Sequence, residues 1–350
     1  MRPIVLLMAI VASLVFVSAP QASPEFTTGF NQGWIDGSYG HSFNEESWNE
    51  DEARRLLLLT ARANGRLLRI WLFEGASQWQ VRRDAYDKPL GLAQGVLENF
   101  TRFLQLARQE GVQIYLTLFD ANVAHQLDDP HTRSRYWNLL NEKYGHGQAF
   151  RERVLAPVLA AARSVPGSVW AVDLANEINV FTGVLFPRVK PYFEDGWKGA
   201  NAFVARWGSF IRARGFPVTA SIGWGGAAND VLAGRLDPRL LDFIDLHVYS
   251  DSGSIPKCRE LGAYARRHGR QIYLGEFGQK SAAYSDETQA RSTRGFLASA
   301  RDCGFAGALA WRLSDIRPGH NPEARHSYEA FGRTRPAYEI MAIAGDEFNP

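Results

Sequence analysis

The sequence predicts a single α/β domain folded as a (β/α)8 TIM barrel, on three observations. Apolar strand-like runs alternate with amphipathic helix-like runs along the 350-residue chain. They recur every ~30–45 residues, the spacing of βαβ units that feed a parallel sheet. Eight such runs can be drawn, and a chain of this length fits one barrel as readily as two average domains. A doubly wound open sheet is the competing architecture. It would usually carry a Gly-rich phosphate turn after its first strand, and no GxGxxG or GxxxxGK[ST] stands in the chain. The cluster Gly223-Trp-Gly-Gly226 lacks the lysine and the following spacing, and reads as a loop at a strand end. No internal domain boundary is visible, so the closed barrel is expected.

Taken in order, Phe26 to Gly33 is the first strand, with Asn31 near its end. Asn49 to Ala63 has acids in its first turn and an apolar stripe, which predicts a helix. Leu67 to Phe73 is a strand with one internal charge, Arg69. Gly91 to Glu110 reads as a helix closed by Gly111, followed by the strand Val112 to Phe119 ending at Asp120. A polar stretch, Asn122 to Gly147, reads as an enlarged loop on the face where barrel active sites lie. The helix Ala149 to Arg163 stops at Pro166-Gly167, before the strand Val169 to Ala175. Then come the helix Trp197 to Arg214 and the strands Pro217 to Ile222 and Leu241 to Val248. The helix Cys258 to His268, the strand Gln271 to Gly275 and the helix Asp286 to Asp302 follow. Ala306 to Trp311 is the eighth strand, and a last helix lies within Ser327 to Ala344.

Composition bounds the partners. With 45% hydrophobic and 22% charged residues the chain has ample core, and a formal charge of +2 without a dense Lys/Arg patch argues against a nucleic-acid partner. Arg2, the apolar run Ile4 to Val17 and the small residues Val17-Ser-Ala19 and Ala22 form a secretory signal pattern. Residues 1–22 are therefore expected to be removed, leaving a secreted or periplasmic chain from residue 23 to 350. The run is short for a membrane span, an uncleaved anchor being the alternative, and no later stretch is suited to stable membrane insertion. The two cysteines, Cys258 and Cys303, are too few for a disulfide scaffold. Placed near the start of one helix and near the end of its parallel neighbour, they are expected on opposite sides of the barrel and unbridged.

The chemistry collects at strand ends. In a barrel the C-terminal ends of all strands converge on one pocket. Asn31, Arg69, Asp120, Asn176, Glu177, His247, Tyr249, Glu276 and Trp311 all fall on or near such ends. Glu177 and Glu276 follow the fourth and seventh strands, across the mouth from each other. Paired carboxyl groups about 5–5.5 Å apart suit a retaining glycosidase, and about 6.5–9.5 Å an inverting one. No HExxH, no GxSxG and no metal-ligand spacing among the eight histidines is present, and nothing calls for a cofactor or a metal.

Asn176-Glu177 at the fourth strand, His247-Val-Tyr249 at the sixth and Gly275-Glu-Phe-Gly278 at the seventh, with Arg69 and Trp311, resemble clan A glycoside hydrolases. The pattern is most similar to glycoside hydrolase family 5, the cellulase and β-mannanase family. Arg69-Ile-Trp-Leu-Phe73 and Gly307-Ala-Leu-Ala-Trp311 lean towards its β-mannanases. The resemblance implies retaining hydrolysis of a β-linked polysaccharide, mannan or glucan, with Glu177 as acid/base and Glu276 as nucleophile. It implies Asn176 on the sugar 2-hydroxyl, Arg69 and Tyr249 orienting an ionised Glu276, His247 beside the cleavage point and Trp311 as a stacking floor. Trp34, Trp79, Trp137 and Trp224 are candidates for further sugar subsites. The chain departs from the family where Phe119-Asp120 stands in place of a strand-end histidine, and where the usual Asn-Glu-Pro is Asn176-Glu177-Ile178. Two alternatives stay open: a barrel that binds glycans without cutting them, and a hydrolase or transglycosylase dedicated to an exopolysaccharide.

Overall fold

The computed structural model describes residues 26–35, 42–74, 80–120, 130–183, 191–279, 285–315, 326–330 and 332–348. The segment expected to be a secretory signal and Trp79 lie outside them, as do residues 122–129 of the Asn122–Gly147 stretch. Eight parallel strands form one sheet: β1 Thr27–Asn31, β2 Leu67–Trp71, β3 Gln113–Asp120, β4 Val169–Asn176, β5 Val218–Thr219, β6 Phe243–Tyr249, β7 Gln271–Gly278 and β8 Gly307–Trp311. β1 pairs with both β2 and β8, as a closed barrel requires. The remaining seam, β5 to β6, is shut by Ile222 N–H to Asp245 O (3.0 Å) and His247 N–H to Ile222 O (2.9 Å). The fold is the expected (β/α)8 barrel.

The strands read as apolar because both of their faces are covered. Phe30, Leu68, Ile70, Leu116, Val172 and Leu274 pack outward into the layer beneath the helices. Leu67, Tyr115, Ala171, Phe243, Tyr273 and Leu309 fill the barrel interior at its lower end. Above them the interior turns polar, with Arg69, Thr117, Asp173, Thr219, Ser221 and Asp245 all fully buried. Trp34, Trp71 and Trp311 close the upper end, with Tyr249 packed against them. Two of the helices start at side-chain caps visible in the sequence: Asn49 accepts from Glu52 N–H ahead of Glu50–Arg62, and Ser285 accepts from Thr288 N–H ahead of Asp286–Asp302.

Three expectations need correction. The helix expected from Gly91 begins at Val96 and runs to Gln109. Pro89–Leu92 instead pairs antiparallel with Val81–Arg83, because after the Asp87 turn both short segments can satisfy each other's backbone above β2. The stretch taken as a loop before Gly147 contains a helix, Pro130–Leu140. The cysteines are bonded: Cys258 and Cys303 form a disulfide with Cα atoms 5.5 Å apart. The expectation failed on the path of the chain after β6. That connection runs down the flank of the helix Asp286–Asp302, with Ser250 O accepting from Ser292 Oγ (3.0 Å) and Gly253 O from Ser299 Oγ (3.4 Å). The helix Cys258–Arg267 therefore starts late and low, and its first residue meets the residue that ends the longer neighbour.

The bridge closes a sequence separation of 45 residues. Replacing both cysteines by serine is expected to cost about 2–4 kcal/mol in denaturant unfolding, and native protein should show no free thiol. Two titratable thiols in the native protein would contradict the bridge.

Candidate active site

All nine strand-end residues singled out from the sequence, from Asn31 to Trp311, meet at the upper end of the barrel. The strand register sets their level: Asn31 lies beside both Arg69 and Trp311, Asp120 beside Asn176, and His247 beside Glu276. The site is organised on the Arg69 guanidinium, which is fully buried. Its Nη1 donates to Asn31 Oδ1 (3.0 Å) and Glu276 Oε2 (3.1 Å). Its Nη2 donates to Asp173 Oδ2 (2.6 Å) and Asn176 Oδ1 (2.9 Å). A buried guanidinium is tolerable only with such acceptors, and the surrounding carboxylates hold Arg69 protonated against the cost of its burial.

Glu276 has both oxygens engaged. Oε2 accepts from Arg69, and Oε1 accepts from the Tyr249 hydroxyl. Burial raises its pKa to about 7, and Glu177 adds to the rise, while His247, Arg69 and Tyr249 pull it down. Glu177 follows β4 directly, with φ +54°, in the left-handed region that a residue with a side chain seldom occupies. Its N–H donates to Ser221 Oγ (3.0 Å). The space beside its carboxylate depends on Gly223, where a Cβ would fall 1.9 Å from Glu177 Oε1. Asn179 fixes that glycine in place, donating to Gly223 O (2.7 Å) and accepting from Gly223 N–H (3.1 Å).

His247 stands between the two glutamates, with Nδ1 3.3 Å from Glu177 Oε1 and 3.6 Å from Glu276 Oε2. Ligand atoms of Glu177, His247 and Glu276 all lie within 4.8 Å of one another. That spacing would admit a cation, but Arg69 and Tyr249 already hold the two Glu276 oxygens, so the trio is better suited to proton chemistry than to a metal. Asn176 uses its Oδ1 on Arg69 and one amide N–H on Asp120 Oδ1 (2.9 Å), which leaves its second N–H to serve another acceptor.

Trp311 is buried, stacked on Trp71 (5.3 Å between centroids, 27° between planes) and edge-on to Trp34. Trp34 is a core residue, whereas Trp224 is 47% exposed beside Gly223. Trp137 is half-buried on the helix Pro130–Leu140. Sequence reasoning missed Asp173, Ser221, Asn179 and Asp245 as parts of the site. Asp173 and Asp245 carried a usable signal, since a charge inside an apolar strand has to find a buried partner.

No protein-family model matches the chain, and no curated protein sequence matches it. Solved structures do. The β-1,4-mannanase of the sea hare Aplysia kurodai is 17% identical over 83% of this chain and 88% of that one, with a TM-score of 0.62. The β-1,4-D-mannanase of Cryptopygus antarcticus is 17% identical over 91% and 90%, with a TM-score of 0.65. A GH5_18 protein from Streptomyces cattleya, in complex with GlcNAc, is 16% identical over 94% and 81%, with a TM-score of 0.73. At this identity the likeness is one of fold, and it spans nearly the whole described chain.

Removing the guanidinium would leave Asp173 as a buried anion without a counter-charge. Arg69→Met is therefore expected to lose roughly 3–5 kcal/mol in urea unfolding. A loss under ~1 kcal/mol, the range of an exposed ion pair, would show that Arg69 does not carry the site.

Proposed function

We propose that this chain is a retaining β-glycoside hydrolase of the family 5 type, acting on a β-linked polysaccharide or oligosaccharide. The observation that carries the reading is the pair Glu177 and Glu276, facing oxygens of which lie within 4.8 Å while their surroundings differ. One oxygen from each carboxyl group lying that near the other is compatible with the ~5–5.5 Å pairing of retaining enzymes, and the retaining assignment itself is tested by the stereochemistry of the product.

Glu276 is the nucleophile in this account. Arg69 and Tyr249 fix its two oxygens and favour the ionised form, so that one oxygen can attack the anomeric carbon. Glu177 donates its proton to the departing glycosidic oxygen as that bond breaks, which leaves a glycosyl ester on Glu276. Glu177, now a carboxylate, takes a proton from water, whose oxygen attacks the same carbon and frees Glu276. The free amide N–H of Asn176 suits the sugar 2-hydroxyl, a contact that strengthens in the transition state. Trp311 presents little open face, so its role is a wall of the sugar site held by Trp71 rather than a broad platform. The two β-mannanases among the structural neighbours put mannan first, and glucan second rests on the sequence resemblance to the cellulase and β-mannanase family. We also assign the chain to a secreted or periplasmic location. The N-terminal signal pattern and the Cys258–Cys303 bridge both suit an oxidising compartment.

The test is sugar release from mannan, cellulose and mixed-linkage glucan by the wild type and by Glu177→Gln and Glu276→Gln. Wild type should cleave at least one, Glu177→Gln should lose about 10²–10⁴ in kcat, and Glu276→Gln should lose more. If none of the three proteins releases sugar, the hydrolase reading fails for these glycans. The pH dependence follows from the raised Glu276 pKa: a protonated carboxyl cannot attack, so kcat/KM should fall as pH drops below about 7. A flat profile down to pH 5 would contradict that.

A further inference from the structure

Below the two glutamates the barrel holds a third carboxyl group that the proposed mechanism leaves unused. Asp245 is fully buried on β6, two residues before His247. Its Oδ2 accepts from the hydroxyl of Tyr115, which reaches across the interior from β3. Its Oδ1 makes no hydrogen bond within normal length, and neither does Nε2 of His247. These two orphaned buried atoms face each other at 3.6 Å. A buried carboxyl group and a buried imidazole nitrogen left without partners are each costly, and one proton placed between Oδ1 and Nε2 satisfies both. Burial raises the Asp245 pKa, while the neighbouring His247 and Arg69 pull it back toward the carboxylate that would leave that proton on Nε2.

The strand opposite is shaped around the same carboxyl group. Gly275, which precedes the nucleophile on β7, has no room for a side chain: a Cβ there would fall 1.8 Å from Asp245 Oδ1. A glycine inside a buried strand sacrifices packing and loses more conformational freedom on folding than any other residue. Here the vacated space is what Asp245 fills.

We propose that Asp245 is a positioning residue for His247: through Oδ1 it keeps Nε2 protonated and the ring oriented, so that His247 stands as an imidazolium whose Nδ1–H faces Glu177 and Glu276. The charged groups around this ring come from every adjoining strand. Glu276 stands on β7, Glu177 at the end of β4, Asp245 on β6 and the Arg69 guanidinium on β2, with Asp173 of β4 and Tyr115 of β3 beyond Asp245. Burial alone would discharge the ring, but the carboxylates outweigh it and raise its pKa. The Tyr115 phenol is pushed well above its usual range, chiefly by burial, and stays a donor to Asp245. The inference deepens the hydrolase reading and rests on it for its consequence. A fixed positive charge beside Glu276 keeps the nucleophile ionised to lower pH than Arg69 and Tyr249 would alone.

The experiment compares wild type, Asp245→Asn and Tyr115→Phe. The His247 ring is followed by NMR with 15N-labelled histidine, its signals assigned by their loss in His247→Gln, and kcat/KM is measured against pH. In Asp245→Asn the ring should deprotonate at a pH lower by about one unit or more. The acid limb of kcat/KM should move up as Glu276 loses its neighbouring charge. Tyr115→Phe, which keeps both carboxylates and is the milder change, should shift both readouts in the same direction by less. It also serves if Asp245→Asn does not fold. An unmoved ring titration in a folded variant overturns the proposal, leaving Asp245 a packing residue. A moved titration with an unmoved acid limb overturns the link to Glu276. A moved titration in a protein that cleaves no glycan would support the assignment of Asp245 while overturning the hydrolase reading.

Discussion

One buried guanidinium sets the terms for the upper half of this barrel. Arg69 takes its place on the axis because Asn31, Asp173, Asn176 and Glu276 each supply an acceptor, and these come from β1, β4 and β7. Desolvating such a cation is unfavourable by several kcal/mol, and only well-made ionic hydrogen bonds offset it. The reverse also holds. Without Arg69, Asp173 and Glu276 would be buried carboxyl groups lacking the donor they share. The four acceptors thus fix one another's positions through a single shared donor, and strands far apart in the sequence are locked at one level.

The asymmetry between the two glutamates follows from that lock. Glu276 has no freedom: a cation holds one oxygen and a phenol the other. Glu177 sits outside the lock, on a left-handed backbone turn, against a glycine that leaves it space and with His247 Nδ1 3.3 Å from its Oε1. A group fixed in place suits attack at a defined point. A group with room around it suits delivery and recovery of a proton. The division of labour therefore comes from geometry, since both residues are glutamates facing each other across one rim.

Much of this was legible in the sequence, for a physical reason. Strands covered on both faces must be nearly continuous apolar runs, so all eight barrel strands stood out, and a polar residue ending such a run marks the rim. Asn176-Glu177 and Glu276 were found in that way. What failed depended on partners that a linear reading cannot supply. Gly91 and Leu92 were read as the start of a helix because the short segment they pair with, Val81–Arg83, lies further back in the chain and was not recognised as a partner. Cys258 and Cys303 were judged by helix order, whereas the disulfide depends on how far the chain descends before its helix begins. Gly223 and Gly275 looked like ordinary loop and strand glycines until Glu177 and Asp245 occupied the space beside them. Asp173 and Asp245 were visible as charges within apolar runs, but which residue each would answer was not.

The central claim is that Glu276 forms a covalent bond to the sugar and that Glu177 serves both halves of the reaction. The most direct measurement is the anomeric configuration of the first product, followed by proton NMR before mutarotation. The account predicts that a β-linked glycan yields the β-anomer first, with a glycosyl ester on Glu276 trapped by a 2-deoxy-2-fluoro glycoside and seen by peptide mass spectrometry. Initial release of the α-anomer, with Glu276 unlabelled, would contradict it.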